Sequence, residues 1–357
     1  MVVLSPNLHW MQMPREIIIG NGSLELVGDV CEKLGFSKSA LIITGVNTLN
    51  VAGQKIIDIL KGEGLQVNRQ IVSSNIPTLR DVEISEEKIR ELKPQVILGV
   101  GGGTKIDIAK LSSARQGIPF ISVPTSPSHD GIASPFASIK GLDRPYSVKA
   151  QSPIAVIADT EVIIKVPHRF VASGCGDMLA KFTSTRDWKL AHEKRNEYYA
   201  QYTASISLMG AQHIVDNADK IRPSSEEGLR ILLEALVSCG IAMGIAGTSK
   251  PCSGSEHLFS HALDLVSPKP SLHGEQCGLG TIMMASLHGL KWEIIRDTLQ
   301  KVGAPTTATS LGMKPEYIIE ALVKAPKIRP ERYTILSEKT LTYDSARELA
   351  EKTGVIS

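Results

Sequence analysis

The first half of the chain alternates between short apolar runs and amphipathic stretches. Several of the runs are hydrophobic at every position, which is typical of parallel strands covered by helices on both faces. The apolar runs cover residues 16–19, 40–44, 65–72, 95–100, 119–123 and 154–158, and the helical patterns between them include 24–34, 51–61 and 85–92. This alternation predicts a Rossmann-like α/β domain with a parallel sheet over residues 1–165.

The second half of the chain has a different texture, because strand-like runs give way to long helical periodicities. These cover residues 172–191, 198–218, 226–246 and 279–290. The stretch 227–247 is apolar almost all round but carries Glu227, Arg230 and Glu234 at one end, so a buried bundle helix fits it better than a membrane span. We therefore predict an all-α helical domain over residues 166–357, with the active site in the cleft between the two halves.

Composition narrows the class of protein. With 357 residues, two domains are the expectation, and 42% hydrophobic and 21% charged residues are typical of a soluble globular protein. A net charge of +2 predicts neither nucleic acid nor membrane insertion. The cysteine count of five is odd, no Cys-x-x-Cys pair occurs, and the N-terminal region reads as a strand and not as a targeting peptide. These features favour a cytoplasmic protein.

A glycine-rich turn, Gly101–Gly103, joins an apolar strand to a helix start. Glycines let a backbone approach a pyrophosphate closely, and a helix N-terminus supplies free N–H donors. The third glycine of the usual dinucleotide fingerprint is replaced by Thr104, so a tight turn without a ligand is the alternative. The next strand end carries several hydroxyls and the carboxylate of Asp130, which favours a bound nucleotide. An acidic residue after the second strand would exclude NADPH, but Asn47 stands there, so NADH and NADPH are both compatible.

Three segments of the second half carry metal-ligand chemistry: 173–177, 254–261 and 272–276. Asp177, His257 and His273 offer one carboxylate and two imidazoles, the set that a catalytic zinc uses when it keeps a position open. Iron(II) would accept the same donors.

Two alternatives to this ligand set arise from spacing. Ser253 as N-cap and Glu256 at the third helical position would form a capping box. His257 and His261 would then share a helical face, so His261 competes with His273 as third ligand. A mixed site with Cys175 or Cys277 is also conceivable.

Together these motifs resemble the superfamily of iron/zinc-dependent alcohol dehydrogenases, glycerol dehydrogenases and dehydroquinate synthases. Within it, the stretches 128–134 and 254–261 are similar to the archaeal sn-glycerol-1-phosphate dehydrogenase family. The resemblance runs from about residue 15 to 330, and it is carried by residues 101–107, 124–131, 176–177, 256–257 and 273–275.

The resemblance implies one zinc ion per chain, held by Asp177, His257 and His273, with His261 facing the substrate instead of the metal. Asp130 and His261 are then the catalytic residues, and both bind the substrate together with Asp177. The implied cofactor contacts are Gly103, Thr104, Asp107, Thr125, Ser128 and Ser134, to which we add the neighbours Gly102, Lys105 and Ser126.

The activity that the resemblance implies is reversible reduction of dihydroxyacetone phosphate to sn-glycerol 1-phosphate by NADH or NADPH, which supplies the backbone of archaeal phospholipids. Asp130 or His261 would relay the proton, and Lys105, Lys181 or His261 would meet the substrate phosphate. Glycerol dehydrogenase is the main alternative, followed by dehydroquinate synthase and by a regulator without catalysis. We expect a small phosphorylated substrate as partner and a homo-oligomer.

Overall fold

A six-stranded parallel sheet forms the centre of the first half of the protein. The computed structural model describes residues 9, 11–140 and 147–357. The sheet has the order β1-β8-β5-β4-β2-β3, and all its strand pairs are parallel. Its strands are β1 Glu16–Gly20, β2 Ser39–Thr44, β3 Gln66–Ile71, β4 Val96–Gly101, β5 Phe120–Pro124 and β8 Ala155–Asp159. The predicted Rossmann-like sheet is confirmed, with strand bounds within two residues of the prediction.

The helices of this half lie between the strands. They are α1 Val27–Lys33, α2 Val46–Thr48, α3 Gln54–Gly62, α4 Leu79–Leu92, α5 Gly103–Gln116 and α6 Thr160–Ile163. Helix α4 begins six residues earlier than predicted, because the Thr78 hydroxyl caps it by accepting a hydrogen bond from Asp81 N (3.2 Å). An antiparallel pair, β6 Phe136–Ala137 and β7 Val148–Lys149, was not predicted, since two-residue strands show no periodicity.

Alternation along the strands divides the core between the two faces of the sheet. In β2, Ile42 packs into one cluster with the helices α1 and α3, while Leu41 and Ile43 pack into the other. This second cluster continues into the helical half, where it includes Met178 and Leu232. The two halves therefore share one hydrophobic core.

After Asp159 the described residues form helices and no strand. The helices are α7 His168–Leu179, α8 Lys181–Arg195, α9 Gln201–Asp216, α10 Glu226–Ala246, α11 Ser255–Val266, α12 His273–Leu287, α13 Trp292–Lys301, α14 Pro315–Ile328, α15 Ile335–Glu338 and α16 Tyr343–Lys352. The helical second half is confirmed, and the domain boundary at 165/166 stays a prediction.

Two helix predictions need correction. The predicted helix 172–191 is two helices, α7 and α8, which meet at Ala180. The predicted periodicity 279–290 belongs to a helix that begins six residues earlier, at His273, within one residue of the helix start expected near Gly274. There Glu275 accepts a hydrogen bond from Leu272 N (3.2 Å). Helix α10 has the predicted bounds; it is long and apolar enough to cross a membrane, but 72% of its most apolar window is buried. Such burial is typical of a core helix.

Helices α7 and α12 touch backbone to backbone at two glycines. A Cβ placed on Gly176 would lie 2.2 Å from Gly274 O, and one on Gly274 would lie 1.9 Å from Ser173 O. No side chain fits at either position without moving one helix. Asp177 directly follows the first glycine and His273 directly precedes the second, so this contact brings the two side chains to one place.

We predict that Gly176→Ala lowers the free energy of unfolding by at least ~1–3 kcal/mol, because the added methyl forces the two backbones apart. Gly62→Ala is the matched control: it also adds a methyl within a helix, but nothing lies within 4 Å of it. That control should change stability by less than about 1 kcal/mol. Urea unfolding of the three proteins measures the difference, and equal midpoints for the two variants would contradict the close contact.

Candidate active site

A cavity of about 790 Å³ lies between the carboxyl edge of the sheet and the helices α11 and α12. Parallel sheets bind ligands at this edge. The predicted site residues that line it are Gly102, Gly103, Thr104, Lys105, Asp107, Ser126, Ser128, Asp130, Ser134, His257, His261 and His273. Thr125 is buried behind the lining, where its N–H donates to Gly101 O (3.0 Å), and Asp177 is fully buried below the cavity. The structure therefore gathers nearly all predicted positions around one space.

The glycine-rich turn forms one wall of this cavity. Gly102 is the N-cap of α5 and has no side chain to cap it, so the first N–H groups of the helix have no intrahelical acceptor. A Cβ on Gly103 would lie only 2.0 Å from His129 Nε2, so a side chain here would require the imidazole of His129 to move. Thr104 Oγ1 donates to Asn75 O (3.0 Å) and Lys105 Nζ donates to Ser74 O. This wall offers backbone donors and a cation to an anionic ligand.

Asp107 lines the cavity, but its carboxylate is engaged within the protein. It accepts hydrogen bonds from Lys110 Nζ (3.1 Å) and from Ser138 N (3.0 Å). Lys110, which is fully buried, also donates to Gly131 O and Phe136 O (both 2.7 Å). The pair thus fixes the loop that carries Asp130, and a direct cofactor contact from Asp107 stays a prediction.

Four possible metal ligands converge beside the cavity. One donor atom each of Asp177, His257, His273 and Cys277 lies within 4.8 Å of the others. They come from α7, α11 and α12, and the first three are the predicted ligands. The donor set, one carboxylate oxygen and two imidazole nitrogens, fits a divalent cation. Cys277 offers a sulfur as a fourth donor, whereas Cys175 is not among the converging residues.

Glu256 orients His257. The ring nitrogen Nδ1 of His257 donates to Glu256 Oε1 (2.8 Å). The other ring nitrogen, Nε2, is then the one that can bind a metal ion, and it lies 3.4 Å from Asp177 Oδ1. Glu256 is fully buried and also accepts from Thr183 Oγ1 and Gly254 N (both 2.6 Å). A carboxylate behind a histidine in this way fixes the tautomer and ring orientation of a metal ligand.

The predicted capping box at Ser253 is wrong by one residue. Gly254 is the N-cap of α11, and the Ser253 hydroxyl instead accepts a hydrogen bond from Arg332 Nη1 (2.9 Å). Glu256 therefore caps from the second helical position instead of the third. The prediction that His257 and His261 share one helical face is unaffected, since both line the cavity.

A fully buried lysine joins the two predicted site aspartates. Lys181 Nζ lies 2.8 Å from Asp130 Oδ2 and 3.1 Å from Asp177 Oδ1, and Asp130 N donates to Asp177 Oδ2 (2.9 Å). Burial raises the pKa of Asp177, but Lys181 and His257 outweigh it, so that pKa lies well below its usual range. Asp177 is therefore an anion. Lys181 is held by two carboxylates away from the cavity lining, which corrects the expectation that it meets a substrate phosphate.

The two remaining histidines stack on each other. The rings of His261 and His273 are 5.7 Å apart with an interplanar angle of 24°, and His273 Nδ1 lies 3.2 Å from Ser260 Oγ. Burial and the neighbouring His257 lower the pKa of His273 to about 3, and burial with His273 lowers that of His261 well below its usual range. Both imidazoles are therefore neutral, the form in which a histidine binds metal.

Two contributors to the site were missed from sequence, and a third, Lys181, was given a different role. Lys181 follows Asp177 by four residues, the helical spacing for a facing pair, so this signal was present in the sequence. Glu256 was assigned only to capping. His129 packs against both the glycine-rich turn and the ring of His273, and its Nδ1 accepts a hydrogen bond from Gly131 N (3.0 Å). No local sequence pattern predicts such contacts.

The fold and the site define a class: metal-binding dehydrogenases with a nucleotide domain followed by a helical domain. Residues 18–167 match the iron-containing alcohol dehydrogenase family. The chain is 51% identical to the glycerol-1-phosphate dehydrogenase [NAD(P)+] of Methanosarcina acetivorans, over 98% of this chain and 97% of that protein. Its identity to the enzyme of that name from Pyrococcus furiosus is also 51%, over 98% and 100%.

Among solved structures, glycerol dehydrogenase from Schizosaccharomyces pombe is similar with a TM-score of 0.80 at 20% identity, over 97% of this chain and 90% of that one. This similarity shows a shared fold. The full-length identities go further: the chain belongs to the glycerol-1-phosphate dehydrogenase family.

We predict that Lys181→Met lowers the free energy of unfolding by ~3–5 kcal/mol, because it leaves two buried carboxylates without their shared cation. Lys189→Met is the control: it lies in the same helix, α8, and its side chain is 53% exposed. That substitution should stay within about 0.5 kcal/mol of the parent. Chemical denaturation at neutral pH compares the two, and a Lys181→Met protein as stable as the control would contradict the account of this buried cluster.

Proposed function

We propose that this protein catalyses the reversible reduction of dihydroxyacetone phosphate to sn-glycerol 1-phosphate with NADH or NADPH. The observation that carries the proposal is the 51% identity, over nearly the whole chain, to relatives named glycerol-1-phosphate dehydrogenase [NAD(P)+]. The cluster of Asp177, His257 and His273 beside a large cavity supplies the chemistry that such a reaction needs.

The nicotinamide cofactor binds along the carboxyl edge of the sheet in this proposal. Its pyrophosphate meets the N–H groups at Gly103 and Thr104, with the Lys105 ammonium nearby. Its adenosine ribose reaches the end of β2, where Gly45–Thr48 line the same cavity without an acidic residue. Nothing there repels a 2′-phosphate, so we expect both NADH and NADPH to be used. The bound cofactor supplies hydride to the substrate's carbonyl carbon.

We assign Asp177, His257 and His273 as ligands of one zinc ion per chain. When bound there, the ion supplies Lewis acidity toward the ketone oxygen. The chain prepares this site in advance. Glu256 fixes the tautomer of His257, the low pKa of His273 keeps that ring neutral, and Lys181 balances the charge of Asp177 and Asp130. Little reorganisation is then needed at the moment of reaction.

Asp130 and His261 line the cavity within reach of a substrate held at this cluster. Reduction adds a hydride to the carbonyl carbon and one proton to the carbonyl oxygen. We propose that Asp130 or His261 passes that proton from solvent to the oxygen and orients the substrate hydroxyl. The expected cytoplasmic location and the homo-oligomer stay predictions.

We predict that the protein holds one equivalent of zinc and that His257→Ala and His273→Ala each abolish the binding. Cys277→Ser should retain the full equivalent, because three ligands and an open position suffice for a catalytic zinc. His213→Ala, an exposed histidine on α9, is the control for general effects of losing an imidazole. Metal content after dialysis measures all four variants. Loss of zinc from Cys277→Ser would contradict the assignment of three ligands and would show that Cys277 is a fourth.

The proposed activity predicts rapid oxidation of NADH or NADPH by the zinc-loaded protein with dihydroxyacetone phosphate, and slower oxidation with dihydroxyacetone. The product should not react with an enzyme specific for sn-glycerol 3-phosphate. A product consumed by that enzyme would reverse the assigned stereochemistry. Preference for the unphosphorylated ketone would refute the proposed substrate while leaving the metal site intact.

A further inference from the structure

A buried arginine supports one end of the cavity, away from the glycine-rich turn. Arg332 donates from Nη1 to Ser253 O (2.7 Å) and Ser253 Oγ (2.9 Å), and from Nη2 to Ser249 Oγ (2.8 Å). Both serines line the cavity, and Arg332 lies behind them with 8% of its surface exposed. The guanidinium thus fixes two hydroxyls in the wall of the substrate space.

The hydrogen bonds of the Arg332 guanidinium go to serine oxygens. The carboxylates of Glu256, Glu331 and Asp187 also act on its charge, but each has other partners. Glu256 accepts from Thr183, Gly254 and His257, Glu331 accepts from Arg329, and Asp187 accepts from Ser255, His288 and Ile335. A buried cation that shares its carboxylates with other donors favours an anionic ligand.

Two further cations strengthen the positive potential. Arg329 lies near Arg332, and burial together with these two arginines lowers the pKa of Lys250 to about 8. Lys250 and Arg329 are paired with Glu197 and Glu331. Arg332 is the cation of this group that donates to the serines of the cavity wall.

The hydrogen-bond chemistry of the two serines agrees with an anion. A hydroxyl that accepts from a guanidinium keeps its own hydrogen, which it can donate in another direction. Gly254 N and Ser255 N, at the start of α11, cannot serve instead, because they donate to Glu256 and to Asp187. The hydroxyl groups of Ser249 and Ser253 can thus donate hydrogen bonds to a ligand at this end of the cavity.

We propose that Ser249 and Ser253, supported by Arg332, bind the phosphate group of the substrate. This subsite rests on the proposed function, and it explains how the same metal chemistry would prefer a phosphorylated ketone. Ser249 and Ser253 line the same cavity as His257, a residue of the metal cluster. A three-carbon phosphoester can therefore place its carbonyl at the metal cluster and its phosphate against the serines.

Lys140 is a rival cation in the lining of the same cavity. Lys140 Nζ is 3.7 Å from Asp264 Oδ2, and that carboxylate would repel a phosphate bound to the lysine. Arg332 donates to the two serines of the cavity wall instead, which is why we place the phosphate there. Substitution of Lys140 provides the direct comparison.

The test is the ratio of kcat/KM for dihydroxyacetone phosphate to kcat/KM for dihydroxyacetone. The double substitution Ser249→Ala with Ser253→Ala should lower this ratio at least ~10-fold, because the serine hydroxyls can no longer donate to the charged phosphate. Arg332→Gln should lower it ~100-fold, because the charged hydrogen-bond donor that supports both serines is lost. Turnover of dihydroxyacetone and the KM for NADH should stay within about threefold of the parent. Ser238→Ala, which changes a half-buried serine on α10 outside the cavity lining, should leave the ratio unchanged.

An equal loss toward both substrates in the double serine variant would overturn the subsite, as would a fall in the ratio for Lys140→Gln with none for the serines. If Arg332→Gln does not fold, the serine variant decides alone. If the parent protein does not reduce dihydroxyacetone phosphate, the proposed function fails, and calorimetry with inorganic phosphate decides the subsite. Binding to the parent but not to the serine variant would support it, and no binding to the parent would overturn it.

Discussion

The site depends on the backbone contact between α7 and α12. Gly176 and Gly274 allow the two helices to approach until each glycine lies against a carbonyl of the other helix. Asp177 and His273 are the chain neighbours of these glycines. The packing of the two helices therefore determines where these two metal-cluster residues lie. Any side chain at the contact would separate the helices by more than a metal–ligand bond can tolerate.

Buried charge is the second condition for this site. Asp177, Glu256 and Lys181 are all fully buried, and each is stabilised by specific partners: Lys181 by two aspartates, and Glu256 by three hydrogen-bond donors. Ionised groups in such surroundings persist only when paired, and their pairing leaves little freedom of position. The free-energy cost of burying these charges is offset by their pairing, which also holds the metal-cluster side chains in position.

The sheet and the main helices could be predicted from sequence because their signals are local. Continuous apolar runs identify buried parallel strands, and β4 and β5 were found in this way. Strand ends also indicated residues of the glycine-rich turn and the following strand end that line the cavity. The hydrogen bond between Arg332 and Ser253 was missed, because these residues are 79 positions apart in the sequence. Ser253 is therefore engaged by Arg332, and α11 begins one residue later than predicted. Long-range hydrogen bonds of this kind leave no periodic trace in a sequence.

We propose that three helices hold one metal ion through Asp177, His257 and His273 at one end of the cavity. Anomalous X-ray diffraction at the zinc edge, from crystals of the zinc-loaded protein, tests this most directly. The account predicts one peak per chain, bonded to those three side chains at about 2.0–2.2 Å with a further position open. A peak bonded to the Cys277 sulfur in place of either histidine, or one outside this cluster, would contradict it.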